Sequence, residues 1–231
     1  MEKHLQKITL LSVFLVIFNF HLSAQTPSVV RNIRLPLWAE IDAYPELAEA
    51  QDLQSEELSY PIKRLHDIAP FLINGMVYGW SFSYTPSDKA RDVEENLEIT
   101  EIVDPQVIKA GISYVSPWFD EERVNCWCEY KRTADQIQSY NLWASIKNPK
   151  IHGRGYGQLI DGFDGIKNAS SEALKDAIRS YYRNVIKNKP KEITGMVLIR
   201  DVPTIGIDSG RYVINLDFFL ECGKIIEYTV Y

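Results

Sequence analysis

Cysteine is scarce in this chain, with 3 among 231 residues. A disulfide scaffold needs more, so a hydrophobic core must stabilise the fold. Cys126 and Cys128 would lie on the same face of a strand, and this placement does not suit a bridge between the two. If an oxidising compartment forms one disulfide, we expect it to join Cys222 to one of these two, and Cys128 is the predicted partner.

Positive charge is in the minority. Lys and Arg number 25 against 31 Asp and Glu, which gives a formal net charge of -6 at pH 7. Proteins that bind nucleic acid generally present a basic surface, so this composition argues against nucleic acid as a partner. The sequence also has no polybasic tail that would hold it at an anionic membrane surface.

Catalytic and metal-binding motifs are lacking as well. Beyond the first two dozen residues the only histidines are His66 and His152, and no Gly-x-Ser-x-Gly elbow accompanies them. The pair Cys126 and Cys128 lacks the spacing of a structural zinc site. The segment Asp161–Gly165 has an aromatic residue where a calcium loop needs a third ligand. We therefore predict no catalytic residue, no metal ligand and no cofactor; enzymatic activity stays uncertain, with the preference against it.

No apolar run is long enough to cross a bilayer, which takes about 20 residues. The leading run covers about 13 residues from Ile8 to Phe20, after two lysines and before the small residues Ser23-Ala24. This order is typical of a secretory signal peptide, so residues 1–24 are expected to be removed. Since no cysteine at the junction can accept a lipid, we expect release to the periplasm or the exterior, with no transmembrane segment after cleavage.

The mature chain mixes helix and strand patterns without a low-complexity linker. Residues 25–231 are therefore predicted to form a single α+β domain, and a seam near 148–157 is the alternative boundary. The sheet is expected to be largely antiparallel, with helices packed on one face.

The first half predicts alternating helices and strands. Pro61 suits the first position of a helix that Pro70 interrupts or ends. Period-two alternation from Met76 to Tyr84 then predicts a half-buried strand. A short charged helix is expected over residues 89–96.

A hairpin and a helix follow in the middle of the chain. Strand patterns over 112–118 and 123–131 are joined by a short acidic connection, which predicts an antiparallel pair. Thr133 and Gln136 have the spacing of a capping box, so a helix is expected to begin there.

The clearest pattern lies near the C-terminus. Ser170 suits the N-cap of a helix whose apolar stripe runs for four turns and which Pro190 ends. Strands are expected over 193–200, 211–220 and 224–230. Because the connecting turns are short, this C-terminal helix should be followed by a three-stranded antiparallel meander.

Glycines alternate with other residues in the segment Ile151–Gly157. Such a backbone can approach a ligand closely, and His152 and Arg154 could bind an anion. The segment matches neither a dinucleotide fingerprint nor a phosphate-binding P-loop. Its more ordinary interpretation is a flexible or bulged connector, and its use as a ligand loop is the alternative.

Basic residues recur every four positions along the C-terminal helix, at Lys175, Arg179, Arg183 and Lys187. Spacing of this kind places them on one face, beside the apolar stripe. We predict that this basic stripe docks an acidic envelope protein or an anionic envelope component; the ordinary interpretation is a solvated helix face.

The segment from Gly153 to Leu220 begins with glycines and continues with an Ala-rich helix and two strands. It resembles small bacterial envelope domains of the LPP20 and flagellar-assembly-T N-terminal type, although it inserts Asp161–Asn168 before the helix. The resemblance implies a non-enzymatic component of an envelope assembly. Together with the leader, it leads us to expect an exported binding or assembly protein; an exported enzyme or small-ligand binder that uses residues 152–157 is the alternative.

Overall fold

A computed structural model describes residues 28–41, 59–120 and 122–228. The predicted signal peptide lies outside these ranges. Within them the chain forms helices and two antiparallel sheets, which confirms the α+β class.

The elements follow one another in chain order. They are α1 (Ser28–Arg31), β1 (Asn32–Glu40), α2 (Ser59–Val77), β2 (Trp80–Thr85), β3 (Asn96–Glu101), α3 (Gln106–Lys109), β4 (Ile112–Asp120), β5 (Arg123–Lys131), α4 (Ala134–Trp143), β6 (Lys150–Gln158), α5 (Phe163–Val185), β7 (Glu192–Ile199), β8 (Thr204–Asp208) and β9 (Arg211–Ile226).

The smaller sheet has the strand order β1-β5-β4. Its β4–β5 hairpin confirms the predicted antiparallel pair, with Asp120 opposite Arg123 at the end of the ladder. Alternate residues of β1 point inward and are buried, as period two requires. These buried residues are Ile33, Leu35, Leu37 and Ala39, and the inner face of β1 packs against α2.

Helix α2 continues through Pro70, so the prediction that this proline interrupts or ends the helix is wrong. A proline inside a helix costs about 3 kcal/mol. The turns after it bury Leu72, Ile73 and Met76 almost completely, and this burial outweighs the local cost. The predicted strand start at Met76 is also wrong, because the helix ends only at Val77.

A glycine redirects the chain from α2 into β2. Gly79 has a φ of +81°, and its amide donates to the carbonyl oxygen of Asn74 at 3.2 Å, as in a left-handed helix cap. Strand β2 then begins at Trp80. The short helix predicted over 89–96 is absent; a turn occupies that stretch, closed by a bridge between Asp88 and Val93.

The larger sheet has the order β3-β2-β7-β9-β6, with β8 paired to the first part of β9. Strand β9 extends without a break from Arg211 to Ile226, so the turn predicted between 220 and 224 is wrong. The β7–β9 ladder shifts register between Ile193 and Gly195, where β9 contains one extra residue. Strand β8 was not predicted.

Helix α5 begins at Phe163, well before the predicted N-cap at Ser170. Ser170 is fully buried in the third turn, and its hydroxyl donates to the carbonyl oxygen of Ile166 at 2.9 Å. Because this intrahelical bond satisfies the hydroxyl, serine is tolerated inside the helix. The stretch 161–168, which the resemblance treats as an insertion before the helix, therefore includes its opening turns.

Helix α5 and strand β6 pack backbone against backbone. A Cβ atom at Gly153, Gly155 or Gly157 would lie within 2.0 Å of a carbonyl oxygen of α5. Two strand residues span about 6.6 Å, and four helix residues span about 6.0 Å. Three glycines in β6 therefore match a row of small residues spaced four apart in α5. This row consists of Gly165, Ala169, Ala173 and Ala177.

The two long helices lie on the same face of the larger sheet. Phe71 of α2 stacks on Trp80 and meets Phe163 of α5 edge-on. One continuous buried cluster includes side chains from both sheets and both helices. Among the residues that the structure describes, no helix combines the length and the apolar character needed to span a membrane.

Arg132 joins three parts of the chain. It is buried, and its guanidinium donates to the carbonyl oxygens of Val30 at 2.7 Å and Met76 at 2.8 Å. The second acceptor is in the last turn of α2, where carbonyl groups lack helical partners. The capping box predicted at Thr133 and Gln136 is confirmed, so α4 begins directly after this arginine.

Candidate functional site

The glycine-rich segment is a regular strand, and the interpretation of it as a flexible or bulged connector is wrong. His152 and Arg154 lie on the face of β6 opposite α5, with side-chain exposures of 59% and 50%. His152 Nδ1 is 3.2 Å from Asp217 Oδ1, and Arg154 Nη2 is 3.6 Å from Asp208 Oδ2. The glycines of β6 contact helix α5 on the other face. Ligand binding by His152 and Arg154 stays a prediction.

The three cysteines are free thiols in the structure. Cys126 and Cys128 are buried on one face of β5, with their Sγ atoms 3.7 Å apart. Cys222 is exposed on β9 in the other sheet. The structure therefore contains no Cys128–Cys222 bridge, and the predicted pairing in an oxidising compartment stays a prediction. The contact with Cys126 and burial raise the pKa of Cys128, which keeps that thiol protonated.

The predicted basic stripe divides into two halves. Lys175 pairs with Glu172, and Arg179 pairs with Glu95 from the β2–β3 connection. Within the described ranges, neither Arg183 nor Lys187 has a carboxylate within 4.0 Å. The N-terminal half of the stripe is thus neutralised, and the C-terminal half keeps its charge.

The charged half borders a cleft at the C-terminal end of α5, which we call the α5 cleft. Its volume is about 280 Å³. Arg183, Lys187 and Lys189 supply positive charge, and the Lys189 ammonium donates to the carbonyl oxygen of Ser87 at 2.7 Å. The remaining surface includes an apolar part formed by Pro86, Ile186, Pro190 and Ile193.

One wall of the α5 cleft is a closed hydrogen-bond network. The hydroxyl of Tyr84 donates to Glu95 Oε1 at 2.6 Å, and Arg179 Nε donates to the same oxygen at 2.9 Å. Burial alone would raise the pKa of Glu95, but the bonds from Arg179 and Tyr84 outweigh burial and lower it. Burial and the bond to Glu95 raise the pKa of Tyr84 to about 12. The wall is therefore rigid and electrically neutral.

Tyr182 also lines the α5 cleft, and it is only 5% exposed. Its hydroxyl is buried away from solvent and lies beside the Cys222 thiol. Burial, with the hydrogen bond to the Cys222 thiol as a second cause, raises the pKa of Tyr182, so the phenol stays neutral at physiological pH.

These groups can attract and hold an anion. Arg179 and Glu95 cancel each other, whereas Arg183 and Lys187 are not balanced by any acidic side chain among the described residues that line the cleft. The described residues include no cluster of three or more His, Cys, Asp or Glu side chains that could hold a metal ion. The α5 cleft supplies hydrogen-bond donors and positive charge, which are the means of anion recognition.

Sequence reasoning identified Arg183 and Lys187 through their four-residue spacing. It missed Tyr84 and Glu95, because Glu95 and Arg179 are 84 positions apart and no local pattern connects them. The sequence indicated that Pro190 ends the helix, but only the fold places Lys189 and Pro190 beside β2.

The fold defines an α+β protein built on two antiparallel sheets. The chain belongs to the protein family whose model matches residues 21–228. It is similar to an uncharacterized protein of Treponema pallidum (strain Nichols), with 30% identity over 204 residues that cover 86% of this chain and 83% of that protein. No solved structure matches the chain significantly.

Proposed function

We propose that this protein is an exported, non-enzymatic component of a bacterial cell envelope. In this proposal it binds an acidic group of an envelope partner through the α5 cleft. The observation that carries the proposal is the pair Arg183 and Lys187, which border the cleft and have no carboxylate partner in the described part of the chain. Unpaired cations beside a concave surface attract anions and increase their rate of association.

Export is supported by the order of residues 1–24, in which a basic start, an apolar run and small residues follow one another. The similarity to a bacterial protein supports a bacterial source for the chain, and the envelope location is inferred from the leader. Periplasm and exterior both fit a leader that is removed.

A role in assembly is supported by the segment from β6 to β9. Its glycine-bearing strand, Ala-rich helix and following strands resemble the small envelope domains of the LPP20 and flagellar-assembly-T N-terminal type. Strands β6 and β7 are parallel and enclose β9 between them, so the segment is a split β-α-β unit. In this proposal the unit presents the charged end of α5 to the partner.

The test of binding is a pull-down from the native envelope with charge-reversed variants. The double variant Arg183→Glu, Lys187→Glu should lose the envelope component that the wild type retains, and added salt should weaken the wild-type capture. The control is Lys63→Glu, Lys131→Glu, which reverses two other exposed lysines that form no ion pair with another described residue. Equal capture by the two double variants, both folded by circular dichroism, would remove the α5 cleft as the binding site.

The test of export is independent of binding. Mass spectrometry of the protein recovered from cell fractions should give a chain that begins at Gln25. Recovery from the cytoplasmic fraction with residues 1–24 still attached would contradict the proposed location.

A further inference from the structure

We propose that the α5 cleft binds a phosphomonoester group carried by a small apolar body. This inference rests on the proposed function, because it names the chemical class of the acidic group. It is built on two properties of the cleft, which are its unbalanced charge and its apolar wall.

The charge of the α5 cleft favours a dianion. Among the residues that the structure describes, Arg183 and Lys187 have no acidic partner, and the one carboxylate that lines the cleft, that of Glu95, pairs with Arg179. A carboxylate ligand would bring one negative charge, whereas a phosphomonoester brings about −1.5 to −2 at pH 7. A guanidinium also offers a planar pair of donors that suits two phosphate oxygens. A phosphomonoester therefore matches the two uncompensated cations.

The apolar wall defines what the phosphate is attached to. Pro190 and Ile193 are buried, and Ile186 is half-buried beside the charged rim. A volume of about 280 Å³ holds a phosphate with a small ring or a short chain, near the lower end of small-molecule sites. It does not hold a whole lipid. The group can therefore come from a free phosphomonoester or from a phosphatidic acid headgroup at a membrane.

The experiment uses the protein as purified after export, titrated with defined probes and followed by calorimetry. Phenyl phosphate should bind at least about tenfold more tightly than benzoate, which has the same ring and one charge less. Inorganic phosphate should bind more weakly than phenyl phosphate, because it lacks the apolar body. Vesicles of phosphatidylcholine, with and without phosphatidic acid, distinguish the lipid source from the free one.

Variants connect binding to the cleft. Arg183→Gln and Lys187→Gln should each weaken phenyl phosphate binding about tenfold, and Lys63→Gln should leave it unchanged. Retention on phosphatidic acid vesicles that is lost with Arg183→Gln supports the inference with a lipid source.

Equal affinity for benzoate and phenyl phosphate would overturn the phosphomonoester class while leaving an anion-binding cleft. Failure of every probe to bind would overturn this inference, even if the charge-reversed variant still loses an envelope partner in the pull-down. Unchanged capture in that pull-down would instead overturn the proposed function.

Discussion

A methyl group on Gly155 would lie 2.0 Å from the carbonyl oxygen of Ala169. That distance is far below any contact between a carbon and an oxygen atom, so strand β6 and helix α5 are as close as two backbones can be. The glycines of β6 are therefore packing residues. They fix the position of α5, and with it the position of the α5 cleft at its C-terminal end.

The substitution Gly155→Ala should destabilise the protein by about 3 kcal/mol, because the added Cβ meets rigid helix backbone and forces α5 away from β6. Urea unfolding measures this change. Gly206→Ala is the matched control, since its added Cβ would lie an ordinary 3.5 Å from a Val213 side-chain atom. Equal stability of the two variants would show that α5 and β6 are not in this contact.

The network around Glu95 should make the protein sensitive to acid. Because the pKa of Glu95 is lowered in the folded state, its stabilising contribution is present above the ordinary glutamate pKa of about 4.3. It is lost as the pH falls through the lowered pKa. Glu95→Gln should therefore flatten the fall in unfolding free energy below about pH 5.

Denaturant unfolding between pH 2.5 and pH 6 measures this dependence. Glu94→Gln is the control, because Glu94 is exposed and adjacent in sequence. The interpretation would fail if Glu95→Gln kept the full acid slope of the wild type.

The substitution Arg132→Met should cost about 3 kcal/mol, because it leaves the carbonyl oxygens of Val30 and Met76 without their donors. Chemical denaturation again measures the loss. Arg34→Met is the control, since Arg34 and Glu129 form an exposed pair at 3.2 Å whose loss should cost less than about 1 kcal/mol. A smaller effect at Arg132 than at Arg34 would contradict the assigned role.

Thiol labelling should distinguish Cys222 from the two cysteines of β5. In the folded protein a maleimide should modify Cys222, which is exposed, and leave Cys126 and Cys128 unmodified because they are buried. All 3 should react after unfolding. Mass spectrometry of peptides identifies the modified cysteines. If Cys222 reacts only after reduction, it takes part in a disulfide.

Local patterns predicted those elements whose evidence lies within a few residues. The β4–β5 hairpin, the capping box at Thr133 and the apolar stripe of α5 are examples. The predictions failed where distant packing decided the outcome. Pro70 stays in a helix because the next two turns are buried, and the glycines of β6 form a strand because α5 lies against them.

The candidate site shows the same division. The spacing of Arg183 and Lys187 on one helix indicated a shared charged face from sequence alone. Arg179 does not contribute an unpaired charge to that face, because it pairs with Glu95. Glu95 belongs to the β2–β3 connection, which is distant in sequence. Two charges that pair across such a distance in sequence leave no local pattern. The extent of the basic surface therefore could not be predicted without the fold.

The matched spacing of β6 and α5 also constrains how the family can vary in length. Since two residues of the strand correspond to about four residues of the helix, an insertion of two residues within Gly153–Gly157 retains the contacts only if α5 gains a turn as well. A single-residue insertion in β6 would turn side chains toward the helix backbone. Relatives that keep this fold should therefore place their insertions and deletions in the connections, and leave both of these segments unbroken.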